Sequence, residues 1–182
     1  MDGTLTNMSA DTSWLTGLVR EIVDYPQPGE RFRDITPLLG DGPGFATAID
    51  QLVAAFADLQ VDRVIGMEAR GFILAAPVAY RLRAGFVPVR KAGKLPWAVV
   101  REEYSLEYGA DVLEMHRDAI RPGERVLVID DVLATGGTAA ATCRLIEELG
   151  GHVVGLGFLI EIDGLGGRER LGDRRVDALS RY

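Results

Sequence analysis

The sequence predicts an α/β fold built on a doubly wound, mostly parallel sheet flanked by helices, and three stretches carry that prediction. Val126, Leu127, Val128 and Ile129 form an apolar run of the kind shown by a strand buried on both faces, and a helical pattern over 139–149 begins directly after the following turn. A strand over 61–67, a helix of small and apolar residues over 72–82 and a strand over 86–90 make a strand–helix–strand unit. Such crossovers are right-handed and imply parallel neighbours. A further apolar strand over 153–160 repeats the pattern after the second crossover helix.

Taken in order, Trp14, Leu15, Leu18, Val19, Ile22 and Val23 recur at helical spacing, and Tyr25-Pro26-Gln27-Pro28-Gly29 ends that predicted helix because proline cannot continue it. A loop is expected over 27–43. Apolar residues over 45–59 again share one helical face. After the first crossover unit, alternating residues over 98–102 and 111–116 predict an antiparallel pair joined by a loop over 106–109. The core strand is expected over 125–129. Residues 1–12 are small and polar without periodicity, with Met8 as an alternative start, and read as a frayed leader ahead of a single domain over 13–182. No internal repeat or linker interrupts that stretch.

The chain has 182 residues, enough for one full core, and a net charge of -7 with no basic face of the size a polyanion such as DNA needs. Its basic residues fall instead in short motifs such as Arg90 to Lys94. The single cysteine, Cys143, lies within the helix over 139–149 and reads as a buried, inert thiol, which leaves no disulfide framework and no zinc spacing. No apolar run reaches the roughly 18 residues of a membrane span, and no secretion signal is apparent, so no membrane partner and a cytoplasmic location are expected.

Chemistry concentrates where the core strand ends. Ala134, Thr135, Gly136, Gly137 and Thr138 lie at the start of a helix, whose first amides have no helical acceptor and carry partial positive charge. Glycines there allow close approach to an anion. Asp130 and Asp131 precede them at the carboxyl edge of the strand, where open α/β sheets bind ligands, and are expected to face the same pocket. Phosphate donors on one side and acceptors for vicinal hydroxyls on the other describe a site for ribose 5-phosphate. A plain strand-to-helix connection would need one capping residue and leaves the paired acids unexplained. A Walker loop lacks its Lys here, and the dinucleotide fingerprint lacks its Gly spacing.

This segment resembles the phosphoribosyl diphosphate signature of the type I phosphoribosyltransferases. Phe32-Arg33-Asp34-Ile35-Thr36-Pro37, Glu68-Ala69-Arg70-Gly71-Phe72, Arg90-Lys91-Ala92-Gly93-Lys94-Leu95-Pro96 and Tyr104-Ser105-Leu106-Glu107-Tyr108-Gly109 are similar, in that order, to motifs of the adenine-using branch of that family. The resemblance covers residues 23–182 and implies the type I fold with a flexible hood hairpin and a small N-terminal region for base recognition. It implies purine salvage, in which adenine and phosphoribosyl diphosphate give AMP and diphosphate by displacement at the anomeric carbon with inversion.

By the same resemblance Ala134 to Thr138 bind the 5-phosphate, Asp130 and Asp131 associate with the ribose and a Mg²⁺, and Glu68, Ala69, Arg70, Arg90, Lys91 and Lys94 bind the diphosphate. A cis peptide is implied at Glu68–Ala69. Glu107 and Tyr108 in the hood are the implied catalytic residues, and Arg31, Phe32 and Arg33 with Ile162 are implied for adenine. The Mg²⁺ is implied to be held mainly by diphosphate, ribose hydroxyls and water, without a dedicated protein cage, and a homodimer is implied.

Without the family, the segment 104–109 reads as a polar hairpin loop and the Arg/Lys motif as a solvated cluster. His116 reads as structural and His152 as an exposed residue at the start of a strand. Two rivals stay open: a hypoxanthine, guanine or xanthine transferase sharing the cradle, and a purine-responsive regulator that binds nucleic acid. The hood sequence argues against the first. The acidic composition and lack of a spare helix-turn-helix segment argue against the second.

Overall fold

The computed structural model describes residues 13–106 and 109–182. They fall into two compact units, Met1–Ala46 and Thr47–Tyr182. In the first, α1 (Ser13–Thr16) is followed by a two-stranded antiparallel sheet of β1 (Arg20–Val23) and β2 (Arg31–Asp34), then α2 (Thr36–Gly40). The predicted helix from Trp14 to Val23 therefore stops after one turn. Directly opposed cross-strand charges explain the switch: Arg33 reaches Glu21 at 2.7 Å and Arg20 reaches Asp34 at 3.4 Å, in a register that pairs Glu21 with Arg33 and Arg20 with Asp34.

The connection is tight, with a left-handed Asp24, a cis Tyr25–Pro26 bond and an Asp24 carboxylate accepting the Gly29 N–H at 2.7 Å. The expected loop over 27–43 likewise holds β2 and α2. Asp34 starts α2 by accepting from the Thr36 N–H at 2.9 Å and its hydroxyl at 2.8 Å, and Pro37 suits the first turn. The chain then passes through α3 (Gly42–Ala55).

The second unit is organised by a seven-stranded sheet. Its elements are β3 (Arg63–Met67), α4 (Arg70–Leu82), β4 (Gly85–Lys91), β5 (Val99–Leu106), β6 (Gly109–His116), β7 (Arg125–Leu133), α5 (Gly137–Glu148), β8 (His152–Glu161), α6 (Gly167–Arg170) and β9 (Val176–Arg181). Spatial order is β5-β6-β4-β3-β7-β8-β9. Neighbours from β4 through β9 are parallel, whereas β6 runs antiparallel to both β4 and β5. The doubly wound, mostly parallel sheet predicted from the sequence is thus present, with β9 and α6 added in a stretch where no element was predicted. The antiparallel pair is also longer than expected, its register running from Val99↔His116 to Leu106↔Gly109.

The order reverses between β3 and β7. From β3 the chain crosses to β4 on one side, and from β7 to β8 on the other, so the carboxyl ends of β3 and β7 form a switch point of the kind where α/β sheets place ligands. Close packing holds this centre. A Cβ added to Gly66 on β3 would meet both the Ala75 Cβ and the Gly71 carbonyl at 2.9 Å, so α4 lies directly on the strand. Ile65, Met67, Val126, Val128, Leu145 and Ile146 share one buried cluster on which α5 sits. Cys143, also within it, is buried and its thiol is pushed up to about 11, chiefly by loss of solvation. Among the described residues no helix is long and apolar enough to cross a membrane.

Phe56 fills the space left by two strand glycines: Cβ atoms at Gly155 and Gly157 would meet its ring at 2.7 and 2.8 Å. The ring is fully buried, with the Arg175 guanidinium 5.3 Å from its centroid. Phe56→Ala is therefore expected to lower unfolding free energy by about 3 to 5 kcal/mol in a denaturant titration, because the two strand glycines it covers have no side chains to move into the cavity.

Candidate active site

Two segments leave the switch point, and each brings part of the predicted site. After β7 the chain turns through Ala134 to Gly136 into α5. Gly136 adopts φ 74°, a left-handed conformation that favours glycine, and precedes the helix without a side-chain cap. The first bond of the helical ladder is from the Ala140 N–H to the Gly136 carbonyl at 2.9 Å. The amides of Gly137, Thr138 and Ala139 therefore precede the ladder and point outward at the positive end of a 12-residue helix. They border a recess of about 100 Å³ lined by the whole predicted cradle, Ala134 to Thr138, together with Asp130, Met67 and Phe158. Beneath it, the Thr142 hydroxyl donates to the Thr138 carbonyl at 2.9 Å and fixes the first helical turn.

The paired acids behave differently from the expectation that both face this recess. β7 continues past Ile129 to Leu133, so Asp130 and Asp131 lie within the strand and their side chains alternate. Asp130 lines the recess. Asp131 is buried, and the Arg70 guanidinium at the start of α4 lies 2.6 Å from its Oδ2. Burial pushes the Asp130 carboxyl well above the usual carboxylate range, and the neighbouring Asp131 charge adds to the rise. Gly71 is what lets α4 come this close. A Cβ there would sit 2.6 Å from Asp130 Oδ1. The sequence reading used the Glu-Ala-Arg-Gly turn for its polar residues and missed this glycine, for which the close spacing of two ligand segments is the only signal.

The second segment gathers the basic motif. Glu68 follows β3, its peptide to Ala69 is cis, and its Oε2 accepts from Arg90 Nε at 3.2 Å and from the Lys91 amide at 3.1 Å. Arg90 and Lys91 are the last residues of β4, which runs one residue past the expected end at Arg90. Arg90 Nη1 also donates to the Lys94 carbonyl at 3.1 Å, which folds Lys94 back over the strand end. Arg70, at the start of α4, pairs with Asp131.

Two acids of β6 complete the turn and were not anticipated. Asp111 sits 3.0 Å from the Lys91 ammonium, a contact that raises the lysine and lowers the acid relative to their ordinary values. Glu114, almost fully buried, accepts the Gly93 N–H at 2.9 Å and Arg101 Nε at 2.8 Å. Its place between Leu113 and Met115 in an alternating strand was the available hint.

The remaining predicted residues fall in three further places along the chain. Arg31, Phe32 and Arg33 belong to β2 in the first unit, a strand and not the expected loop, with Arg31 and Arg33 on Glu21 and the Phe32 ring edge-on to Tyr25 at 5.2 Å. Ile162 directly follows β8, and its N–H donates to the Leu133 carbonyl at 2.9 Å beside the cradle. Glu107 and Tyr108 lie outside the described residues. His152 is exposed at the first position of β8, and His116 packs edge-on to Trp97 at 6.5 Å.

Comparisons with known proteins point to one family. A family model described as the phosphoribosyl transferase domain matches residues 39–179. The adenine phosphoribosyltransferase of Chloroflexus aurantiacus is 55% identical over 168 residues, covering 92% of this chain and 97% of the relative. The crystal structure of adenine phosphoribosyltransferase from Rhodothermus marinus superposes with a TM-score of 0.90 at 50% identity, covering 94% of this chain and 98% of that one. The Saccharomyces cerevisiae enzyme, solved with adenine and an imino-altritol bisphosphate, gives a TM-score of 0.87 at 37% identity, covering 92% of this chain and 97% of that one.

Asp130 supplies a direct test. A carboxyl that keeps its proton more readily in the folded than in the unfolded chain stabilises fully below its ordinary value of 3.8, and that contribution is lost as pH rises through the folded value. Asp130→Asn removes the loss. Thermal melts from pH 4 to pH 8 are expected to show the variant increasingly more stable than wild type as pH rises, while titration calorimetry shows weaker binding of ribose 5-phosphate. A variant that melts like wild type at pH 8 would show that Asp130 carries no buried-charge cost.

Proposed function

The chain belongs to the phosphoribosyltransferase family, and we infer from this that it transfers the 5-phosphoribosyl group of phosphoribosyl diphosphate to adenine, giving AMP and diphosphate in purine salvage. The observation that carries the reading is the recess at the start of α5, where partnerless amides and the Asp130 carboxylate border one space. Displacement occurs at the anomeric carbon with inversion, as the purine nitrogen arrives opposite the departing diphosphate.

The reaction separates charge: the sugar becomes cationic while the leaving group gains negative charge. Amides of Gly137 to Ala139 hold the 5-phosphate without needing to reorganise. Asp130 accepts from a ribose hydroxyl, and the growing positive charge on the sugar favours its ionised form. Asp131 acts one step back, keeping Arg70 in place. On the other side Glu68 holds Arg90 and the Lys91 amide, and the exposed Lys91 ammonium exchanges Asp111 for the diphosphate. Lys94 supplies a further positive charge at the same turn.

The site also fits Mg²⁺. Mg²⁺ keeps several water or substrate oxygens, so diphosphate, ribose hydroxyls and water would be its main ligands, and Asp130, once ionised, would offer one carboxylate of the hard oxygen type the ion prefers. When bound, it neutralises charge on the diphosphate. For adenine, Arg31, Phe32 and Arg33 of the first unit are the residues that the family resemblance implies for reading the base. Ile162 of the second unit is assigned separately as an apolar cover for its ring. Glu107, with Tyr108, handles the proton of the purine ring as its nitrogen attacks, and the segment around them excludes water from the cationic sugar.

A homodimer is proposed on the strength of an apolar surface in the second unit, where Ile73 and Tyr80 of α4 and Phe86 of β4 are exposed, Tyr80 by 82%. A cytoplasmic location accords with the unpaired, buried Cys143.

Steady-state product formation with adenine, hypoxanthine and guanine tests the base assignment. Adenine is expected to lead by at least about tenfold in kcat/KM, because exchanging its amino donor for a carbonyl acceptor mispairs a buried group. Comparable rates with hypoxanthine favour the rival transferase. Glu107→Ala is expected to lower kcat by about 10²- to 10⁴-fold with an unchanged circular dichroism spectrum, and an unaltered rate removes Glu107 from the chemistry. In sedimentation velocity, Tyr80→Glu is expected to shift the protein toward monomer.

A further inference from the structure

The phosphate cradle is braced from behind by a segment thirty residues further along the chain. A Cβ at Gly136 would meet the Gly167 carbonyl at 2.6 Å, and a Cβ at Gly167 would collide with the Ala134 carbonyl. The main chain at Gly167 therefore touches the main chain of the 134–136 turn with no side chain between them. Backbone against backbone has no rotamer through which to yield, so the place of Gly167 limits where the turn can lie.

Gly167 is held in turn by the next residue. Arg168 donates from Nε to Glu161 Oε1 at 2.9 Å, from Nη2 to Glu161 Oε2 at 2.6 Å and from Nη1 to the Val176 carbonyl at 2.8 Å. The planar fork thus binds the end of β8 and the start of β9 at once, a geometry that lysine cannot copy. Glu161 is buried, and Arg181 adds a second cation 3.2 Å from its Oε2. Burial and paired charge make this a stiff anchor, and the cations hold the Glu161 carboxyl below its usual range. None of these groups lines the recess, so they act only through the backbone.

We propose that Arg168 and Glu161 are positioning residues for the 5-phosphate: their forked pairing seats Gly167 against Ala134 and Gly136 and so sets the spacing of the amides from Gly137 to Ala139. This deepens the functional reading above and rests on the recess being the phosphate site. A pair that merely ties β8 to β9 would affect stability alone, whereas a pair that shapes the cradle affects phosphate recognition selectively.

AMP and adenosine differ only by the 5-phosphate, so the ratio of their affinities isolates the cradle. In titration calorimetry on the full chain, Arg168→Ala is expected to lower the AMP-to-adenosine affinity ratio by about tenfold or more, with adenosine binding changed by less than about twofold. Arg168→Lys is expected to recover only part of the ratio. If Arg168→Ala does not fold, the isosteric Glu161→Gln takes its place and is expected to lower the ratio in the same sense. Folded variants that keep the wild-type ratio overturn the proposal and leave the functional reading standing. A wild-type protein that binds AMP no better than adenosine overturns the phosphate site itself, and this proposal with it.

Discussion

Three amides at the head of α5 have no partner within the helix, and much of the second unit is arranged around that unmet need. They must be met by water or by an anion, and their position at the carboxyl end of β7 places them where the strand order reverses. Because β3 and β7 are paired neighbours, the turn carrying Glu68 and Arg70 emerges beside them. One crossover supplies backbone donors at the start of α5, and the other supplies the charged side chains of the neighbouring turn. The sheet thus acts as a spacer between two polar turns.

Such a site carries a cost in stability. Asp130 is a carboxylate with poor solvation beside a second acid, and Arg70 answers Asp131 directly but Asp130 only at longer range. The surroundings offset the cost with packing: Gly66 and Gly71 bring α4 hard against β3 and the acids, and the apolar cluster under α5 is continuous. A side chain at either glycine would have to displace backbone or the very carboxylate that lines the recess. Small residues here are therefore bound to the chemistry as much as to the fold.

What the sequence made legible follows from how local the signal is. The β7–turn–α5 unit could be read because an apolar run, a glycine turn and a helical pattern are contiguous, and the recess forms where that reading put it. The hairpin of β1 and β2 was misread because Trp14 to Val23 is too short for period alone to separate helix from strand, and the deciding pairs, Glu21 with Arg33 and Arg20 with Asp34, lie across a turn. The paired acids were expected at the end of a strand over 125–129, both facing one pocket, and their alternation could not be read without knowing that β7 runs on to Leu133. Glu114 and Asp111 escaped because the alternation hints at most that an acid is buried, and does not reveal that it will meet a turn about twenty residues upstream. The same holds for Gly167, whose contact with Gly136 exists only after β8 and β9 have assembled.

Cys143 adds a practical corollary. Its sulfur is sealed beneath α5, and a thiol that ionises only near pH 11 is a poor nucleophile at neutrality. Alkylating reagents and mild oxidants should pass it by while the helix is docked, and modification must wait for that helix to lift away. The chain thus carries a built-in clock for local opening of the layer under α5, readable from the rate at which one atom becomes labelled.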